Sequence, residues 1–302
     1  MEAVFNPLFD FAVSAFRDFA AFQFLRNALI AGALIGFLCS ALSVLVVLKR
    51  MAFVGQGISH GAFAGVALAL LIFDPAGSAG GMNLGDVAGG AAFLLVTLYS
   101  LMLAFLVGWA VRREKLSGDS AIGMFFVVSM ALGVLLIATR RAYAADIFGI
   151  LFGSILAVTH ADVWAALGLA VLVALVLALF YKEIAYFAFD EEVAETSGLP
   201  AGAIHYGLIL LIALAIVVSI RVVGIILVNA FLVIPGLAAL TVAKRLPGAI
   251  GLSVAVGVGS AALGLALANH LDTPAGATVV MVLFGVYLAL SLGKKIRLAR
   301  GR

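Results

Sequence analysis

Long apolar stretches alternate with short polar ones along almost the whole chain. A helix needs roughly 20 apolar residues to cross the hydrocarbon core of a bilayer, and about nine stretches reach that length. We therefore predict an all-α integral membrane protein, a polytopic bundle of about eight or nine transmembrane helices. The predicted spans are residues 24–48, 53–73, 87–111, 121–138, 163–181, 204–220, 222–243, 248–269 and 275–292.

Three stretches need separate interpretation. The apolar sequence around Arg221 is too long for a single span, so we place a break near that residue. Residues 147–158 are too short to cross, which favours a re-entrant or interfacial segment. Residues 1–20 interrupt their apolar side chains with Asp10, Arg17 and Asp18, which predicts an amphipathic lead-in at the interface rather than a secretory signal.

Composition agrees with a membrane protein. The 302 residues are 65% hydrophobic and 11% charged, whereas soluble domains carry about 25% charged residues. A water-soluble globule with this composition would expose large apolar patches. The net charge of +3 comes from short clusters between spans, so no basic face for nucleic acid is indicated. The single cysteine, Cys39, excludes an intrachain disulfide.

The cations predict the orientation of the chain. With nine crossings, most of the 18 Lys and Arg residues fall on one side of the membrane, and that side is cytoplasmic by the positive-inside rule. The C-terminus and a basic tail, residues 294–302, then lie in the cytoplasm, beyond a transmembrane domain of residues 21–293, and the N-terminus lies outside. An eight-span arrangement would move one of the two ends.

Few polar residues lie inside the predicted spans, chiefly Gln56, Ser59, His60 and Asn229. Gln56 and His60 are four residues apart and share one helix face, with Ser59 beside them among small residues. Such a polar stripe indicates a path for a polar solute. The alternatives are that His60 is a hydrogen-bonding packing residue and that Asn229 bonds a neighbouring helix. Because we place no carboxylate in mid-membrane, a proton- or sodium-coupled carrier is disfavoured.

The longest charged stretch, residues 182–202, is acidic and lies on the side predicted to be cytoplasmic. Residues 190–197 predict a short helix that ends at Gly198 and Pro200. One interpretation is a solvated loop between spans, and the other is a docking helix for a soluble cytoplasmic partner. No GxxxxGK[ST] loop and no Ser/His/Asp, HExxH or Cys cluster occurs, so we expect no nucleotide or cofactor bound by this chain and no enzymatic activity.

Five sequence blocks between residues 25 and 292 resemble the permease subunit of the zinc/manganese-type ABC transporters, in the family's order. Residues 49–68 resemble the segment with a basic residue, Met, Ser-x-x-Gly-Asp and His, and residues 189–200 fall where these permeases have a cytoplasmic coupling segment. The blocks are KRMAFVGQGISHGAFAGVAL (49–68), FGSILAVTHADV (152–163), FDEEVAETSGLP (189–200), VGIILVNAFLVIPGLAA (223–239) and LDTPAG (271–276).

The resemblance implies a fold like that of type II ABC importers and a homodimer in the bacterial inner membrane, with the path at the dimer interface. Two copies of a separate ATPase would use ATP, and a periplasmic or surface metal-binding protein would deliver a divalent metal, zinc first and then manganese or ferrous iron. His60 and Gln56 would be transient metal ligands, and Ser59 and Asn229 would line the path. The residues implied to contact the ATPase are Asp190, Glu191, Glu192, Ala194, Glu195 and Gly198.

One position departs from the family pattern. Many members that resemble this motif have aspartate where this chain has Gln56, and a neutral amide removes the anionic ligand. We therefore expect the pair of Gln56 and His60 to bind a metal only weakly. The alternatives outside this family are an ion-coupled secondary metal transporter or channel, and an intramembrane enzyme or structural membrane protein.

Overall fold

The computed structural model describes residues 22–73, 90–114, 117–139 and 158–300. The predicted lead-in at residues 1–20, and residues 147–157 of the short apolar segment, lie outside these ranges. The regular elements within them are helices: α1 Gln23–Leu48, α2 Val54–Phe73, α3 Gly90–Arg113, α4 Gly118–Ala138, α5 His160–Leu179, α6 Tyr181–Phe189, α7 Glu191–Thr196, α8 Ala201–Val223, α9 Ile225–Val242, α10 Leu246–Leu271 and α11 Ala275–Arg300.

Nine of the helices in the described ranges are long and apolar enough to cross a membrane. This confirms the predicted polytopic helical bundle, and each of the nine corresponds to one predicted span. The two short helices, α6 and α7, occupy the charged segment between the fifth and sixth spans. The last helix continues past its predicted end at residue 292 to Arg300, so Lys294 and Lys295 belong to α11.

The break between α8 and α9 lies at Gly224, three residues beyond the position predicted at Arg221. Gly224 has φ 82° and ψ 166°, a combination that is essentially restricted to glycine. Its amide donates to the Ile220 carbonyl, which completes the last turn of α8. Because the sequence is apolar on both sides of Gly224, hydrophobicity alone could not locate this break.

Helix α1 is the most deeply buried of the nine spans and packs against α5, α9 and α10. Small residues permit this contact: a Cβ on Gly257 would lie 2.9 Å from the Gly36 carbonyl oxygen. Pro235 lies inside α9, where this helix packs against α1. The Ser43 hydroxyl of α1 accepts a hydrogen bond of 2.9 Å from the Gly236 amide. A neighbouring hydroxyl thus bonds an amide beside the proline, as in other membrane helices.

Helix α2 lies between α3 and α4 and also contacts α9. A side chain at Gly61 would overlap Leu103 of α3, so this glycine sets the distance between the two helices. The Ser129 hydroxyl of α4 donates to the Gly61 carbonyl at 2.9 Å and contacts the Tyr99 hydroxyl of α3 at 2.8 Å. These contacts fix the position of α2, which holds the predicted polar stripe.

The ends of α1, α3 and α9 meet at one end of the bundle together with α6 and α7. We call it the basic end, defined by Lys49, Arg112 and Lys244. The opposite end has an ion pair between Arg221 and Asp162, with 3.0 Å between Nε and Oδ1. Asp162 belongs to a capping box with Thr159 at the start of α5, so this carboxylate lies at a span end, as expected.

Candidate functional site

Gln56 and His60 lie one turn apart near the start of α2, on a face that the described residues leave partly open. The Gln56 side chain is exposed and His60 is partly exposed, whereas the small residues around them, such as Gly57 and Gly61, are buried against neighbouring helices. The predicted placement of Gln56 and His60 on one face is therefore found in the structure.

The imidazole of His60 has a defined orientation. Its Nδ1 lies 3.1 Å from the backbone carbonyl oxygen of Gln56. A carbonyl oxygen can only accept a hydrogen bond, so Nδ1 is the donor and the neutral ring keeps its lone pair on Nε2. The ring also packs edge-on against Phe126 of α4, at a centroid distance of 5.5 Å. Histidines that bind metals in proteins commonly donate their other nitrogen to a carbonyl in this way.

Ser59 and Asn229 lie on the buried side of α2, away from Gln56 and His60. Ser59 is 2% exposed, and the Asn229 Oδ1 atom of α9 lies 2.5 Å from where a Cβ on Gly55 would be. Ser59 follows Gly55 by one helical turn. Within the described part of the chain, Ser59 Oγ and Asn229 Oδ1 are buried without a hydrogen-bond partner. Gln56 and His60 thus form an exposed pair. We call Ser59 and Asn229 the buried pair because their side-chain oxygens are buried, although Asn229 as a whole is partly exposed.

The described residues contain no group of three or more His, Cys, Asp or Glu side chains that could hold a metal ion. The exposed pair on α2 offers one imidazole nitrogen and one amide oxygen. Two such ligands are fewer than the four to six that transition metals and manganese usually take in proteins. A metal that meets this pair would therefore need further ligands beyond these two side chains.

The segment of residues 190–197 forms the predicted short helix, α7. Asp190 caps its N-terminus, with Oδ1 accepting from the Glu192 and Val193 amides at 3.0 and 3.1 Å. Gly198 ends the helix at φ 82°. Two backbone bonds, Leu199 N–H to Ala194 O and Gly198 N–H to Glu195 O, complete a Schellman motif. The buried Ala194 side chain packs α7 onto the bundle.

The acidic side chains of α7 have different environments. Glu191 forms ion pairs with Lys49 and Arg112, and Glu195 forms one with Arg112. Glu192 is exposed. In the sequence, Lys49 and Arg112 indicate only the orientation of the chain, and no local pattern pairs them with α7. Opposite charges on one predicted side were the available signal, but they do not specify which residues meet.

His205, near the start of α8, is only 4% exposed. Its Nε2 donates to the Gly108 carbonyl oxygen of α3 at 3.1 Å. The ring contacts Phe187 of α6 edge-on, with 6.0 Å between the ring centroids. The His205 side chain near the start of α8 therefore points toward α3 rather than toward the membrane surface, and it connects α8 to α3 and α6.

Nine helices of the described residues are long and apolar enough to cross a membrane, and with the polar pair on α2 and the short helix α7 they define a polytopic helical membrane protein. The family model described as the ABC 3 transport family matches residues 21–294. The chain belongs to that family.

Named relatives and a solved structure match most of the chain. The manganese transport system membrane protein MntC of Halalkalibacterium halodurans is 33% identical over 88% of this chain and 86% of its own length. The manganese import system permease protein ScaB of Streptococcus gordonii is also 33% identical, over 88% of this chain and 90% of its own. The structure of PsaBC from Streptococcus pneumoniae in complex with a Fab contains a chain with a TM-score of 0.76 and 29% identity, covering 92% of this chain and 95% of that one.

Proposed function

We propose that this chain is the membrane-spanning permease of an ATP-driven importer of divalent transition metals. Membership of the ABC 3 transport family, whose model matches residues 21–294, is the observation on which this rests. The two relatives reported above are named for manganese. The zinc-first expectation from the sequence therefore gives way, in this proposal, to manganese first, with ferrous iron and zinc as the other candidate substrates.

The exposed pair supports a path between two copies of the chain. Gln56 is exposed and His60 is partly exposed among the described residues, and each copy offers one amide oxygen and one imidazole nitrogen. Two copies related by a two-fold axis would place four such groups around one ion, because an isologous interface brings the same patch together from both sides. Carbonyl-type oxygens suit manganese and imidazole suits iron and zinc, so the mixed set is compatible with each candidate.

The buried pair has a secondary role in this proposal. Within the residues that the structure describes, the Ser59 hydroxyl and the Asn229 amide oxygen have no hydrogen-bond partner. Buried polar groups without partners are costly, so a change of state that rotates α2 or α9 toward the path would let these oxygens bond to the hydrated ion. Ser59 and Asn229 would then line the path in the conformation that releases metal.

The basic end is the cytoplasmic end in this proposal, because Lys and Arg concentrate on the cytoplasmic side of membrane proteins. The surface of α6 and α7 there exposes Tyr186, Phe189 and Val193, which are 56%, 70% and 48% accessible. We assign this apolar surface and the adjoining Glu192 to the contact with a separate ATPase. A metal-binding protein would deliver the ion at the opposite end, where Arg221 and Asp162 form their ion pair.

The substrate is tested with the permease purified together with its ATPase and reconstituted with its metal-binding protein in liposomes. The proposal predicts ATP-dependent accumulation of manganese and stimulation of ATP hydrolysis by the metal-loaded binding protein. Parallel assays with ferrous iron and zinc rank the substrates. Uptake of none of the three metals under these conditions would contradict the proposed function.

A further inference from the structure

Two cationic side chains from different transmembrane helices meet one carboxylate of α7. Glu191 Oε2 lies 3.3 Å from Lys49 Nζ, and Glu191 Oε1 lies 3.2 Å from an Arg112 guanidinium nitrogen. The second terminal nitrogen of Arg112 pairs with Glu195, one turn further along the same short helix. Both Glu191 oxygens are therefore used, and each connects α7 to a different helix of the bundle.

Lys49 is held more tightly than an ordinary surface cation. Its side chain is 16% exposed, its ammonium donates to the Phe187 carbonyl oxygen at 3.1 Å, and it lies 3.6 Å from the centroid of the Phe187 ring. Phe187 is itself 1% exposed. A partly desolvated cation with a carboxylate, a carbonyl and an aromatic ring around it has little freedom to move relative to them.

The other ends of these contacts lead to α2. Lys49 is the C-cap residue of α1, and a tight turn through Arg50 at φ 54° joins it to α2. The turn is fixed by the Met51 amide bonded to the Val46 carbonyl and the Val54 amide bonded to the Met51 carbonyl. Arg112 lies in the last turn of α3, which packs along the glycine face of α2. Both cations thus adjoin elements that hold the helix with Gln56 and His60.

We propose that Glu191 is a positioning residue that transmits movement of α7 to α2, and we name Lys49, Arg112, Phe187 and Glu191 the coupling junction. The inference rests on the proposed function and adds to it a role for Glu191 that faces the bundle rather than the ATPase. When the ATPase displaces α7, the coupling junction moves α1 and α3 with α7. Helix α2 then moves too, because the Arg50 turn joins it to α1 and its glycine face packs on α3. Without the junction, α7 moves while α2 stays.

The test uses the complete complex of permease, ATPase and binding protein in liposomes. Glu191→Gln keeps the shape of the side chain but removes its charge, and Lys49→Met keeps the apolar stem without the ammonium. Both variants are expected to remain bound to the ATPase subunit. The amount of metal transported per ATP hydrolysed is expected to fall by about tenfold, the fold-change that corresponds to one charge-assisted hydrogen bond. Lys49→Arg, which keeps a charged donor, is expected to keep most of the wild-type ratio of metal transported to ATP hydrolysed.

Lys244→Met is the matched control, because Lys244 is an exposed cation in the α9–α10 turn at the same end of the bundle. It is expected to keep the wild-type ratio. A second readout is amide hydrogen exchange of residues 54–60 before and after the ATPase is trapped with nucleotide. The change seen in the wild type is expected to disappear in Glu191→Gln, which a merely structural role would not cause.

The inference is overturned if Glu191→Gln and Lys49→Met keep the wild-type ratio of transport to hydrolysis. It is equally overturned if the two variants no longer bind the ATPase subunit, because Glu191 would then act in docking. It is also overturned if hydrogen exchange at residues 54–60 does not respond to nucleotide in the wild type. If Lys49→Met does not fold, Glu191→Gln and Lys49→Arg decide the question. Loss of uptake by the wild-type complex would instead contradict the proposed function.

Discussion

At the scale of single residues, the proposed path depends on the chemistry of two side chains on α2. The bond from His60 Nδ1 to the Gln56 carbonyl leaves Nε2 able to bind a metal. Gln56 contributes a neutral amide oxygen, which binds cations more weakly than a carboxylate. A path needs ligands that release the ion again, so a weak pair fits transit better than storage.

Replacing His60 with alanine removes the imidazole nitrogen from the path. We expect His60→Ala to lower metal uptake by about tenfold or more, since losing a metal-binding contact typically costs 10–100-fold. Assembly with the ATPase and its basal hydrolysis should persist. The control is His160→Ala, because His160 lies at the opposite end of the bundle against Gln23. Unchanged uptake by His60→Ala at normal ATPase coupling would remove His60 from the path.

Gln56→Asp introduces the carboxylate that the family resemblance implies at this position. We expect the half-saturating metal concentration to fall on the order of tenfold, because an anionic oxygen binds a divalent cation more strongly than an amide oxygen does. Metal titration of ATP hydrolysis by the reconstituted complex measures this change. An unaltered or higher half-saturating concentration would show that Gln56 does not contact the ion.

At the scale of helices, apolar length predicted the nine spans because a bilayer demands it. The helix α7 was also predictable, since Asp190 and Gly198 are strong end signals. The break was predicted near Arg221 and lies three residues later, at Gly224, because its position depends on backbone angles within continuous apolar sequence. The bonds of Lys49 and Arg112 to Glu191 join residues more than 75 positions apart, and no local pattern indicates them.

The contact between α1 and α10 gives a prediction at this scale. A Cβ on Gly257 would lie 2.8 Å from Ser40 Cβ and 2.9 Å from the Gly36 carbonyl oxygen, whereas a Cβ on Gly259 of the same helix meets nothing within 4 Å. We expect Gly257→Ala to lower the free energy of unfolding by about 1–3 kcal/mol, the usual cost of overpacking. Gly259→Ala should be neutral or slightly stabilising, because alanine favours helix.

Thermal unfolding of the two purified variants in the same detergent provides the comparison. A lower Tm for Gly257→Ala than for Gly259→Ala is the expected order. Equal midpoints would mean that α1 and α10 approach each other less closely than in this structure.

At the scale of the whole molecule, the proposed function makes the polar pair of one copy half of a site and makes α7, at the basic end, the helix that contacts the ATPase. The class followed from composition, and the nine long apolar helices of the described residues agree with the eight or nine spans that hydrophobic length predicted. The split of Gln56 and His60 from Ser59 and Asn229 did not follow from composition or length, because it depends on which neighbours pack on each side of α2. A sequence pattern gives the helix face, and packing decides whether that face is open.

The central claim is that this permease moves a divalent metal only with energy from a separate ATPase. The most direct measurement compares manganese uptake into two liposome preparations, each supplied with the metal-binding protein. The first contains the permease alone, under an imposed proton or sodium gradient. The second contains the permease, the ATPase and ATP. We predict accumulation against a gradient only in the second preparation. Accumulation by the permease alone, driven by the ion gradient, would contradict the account.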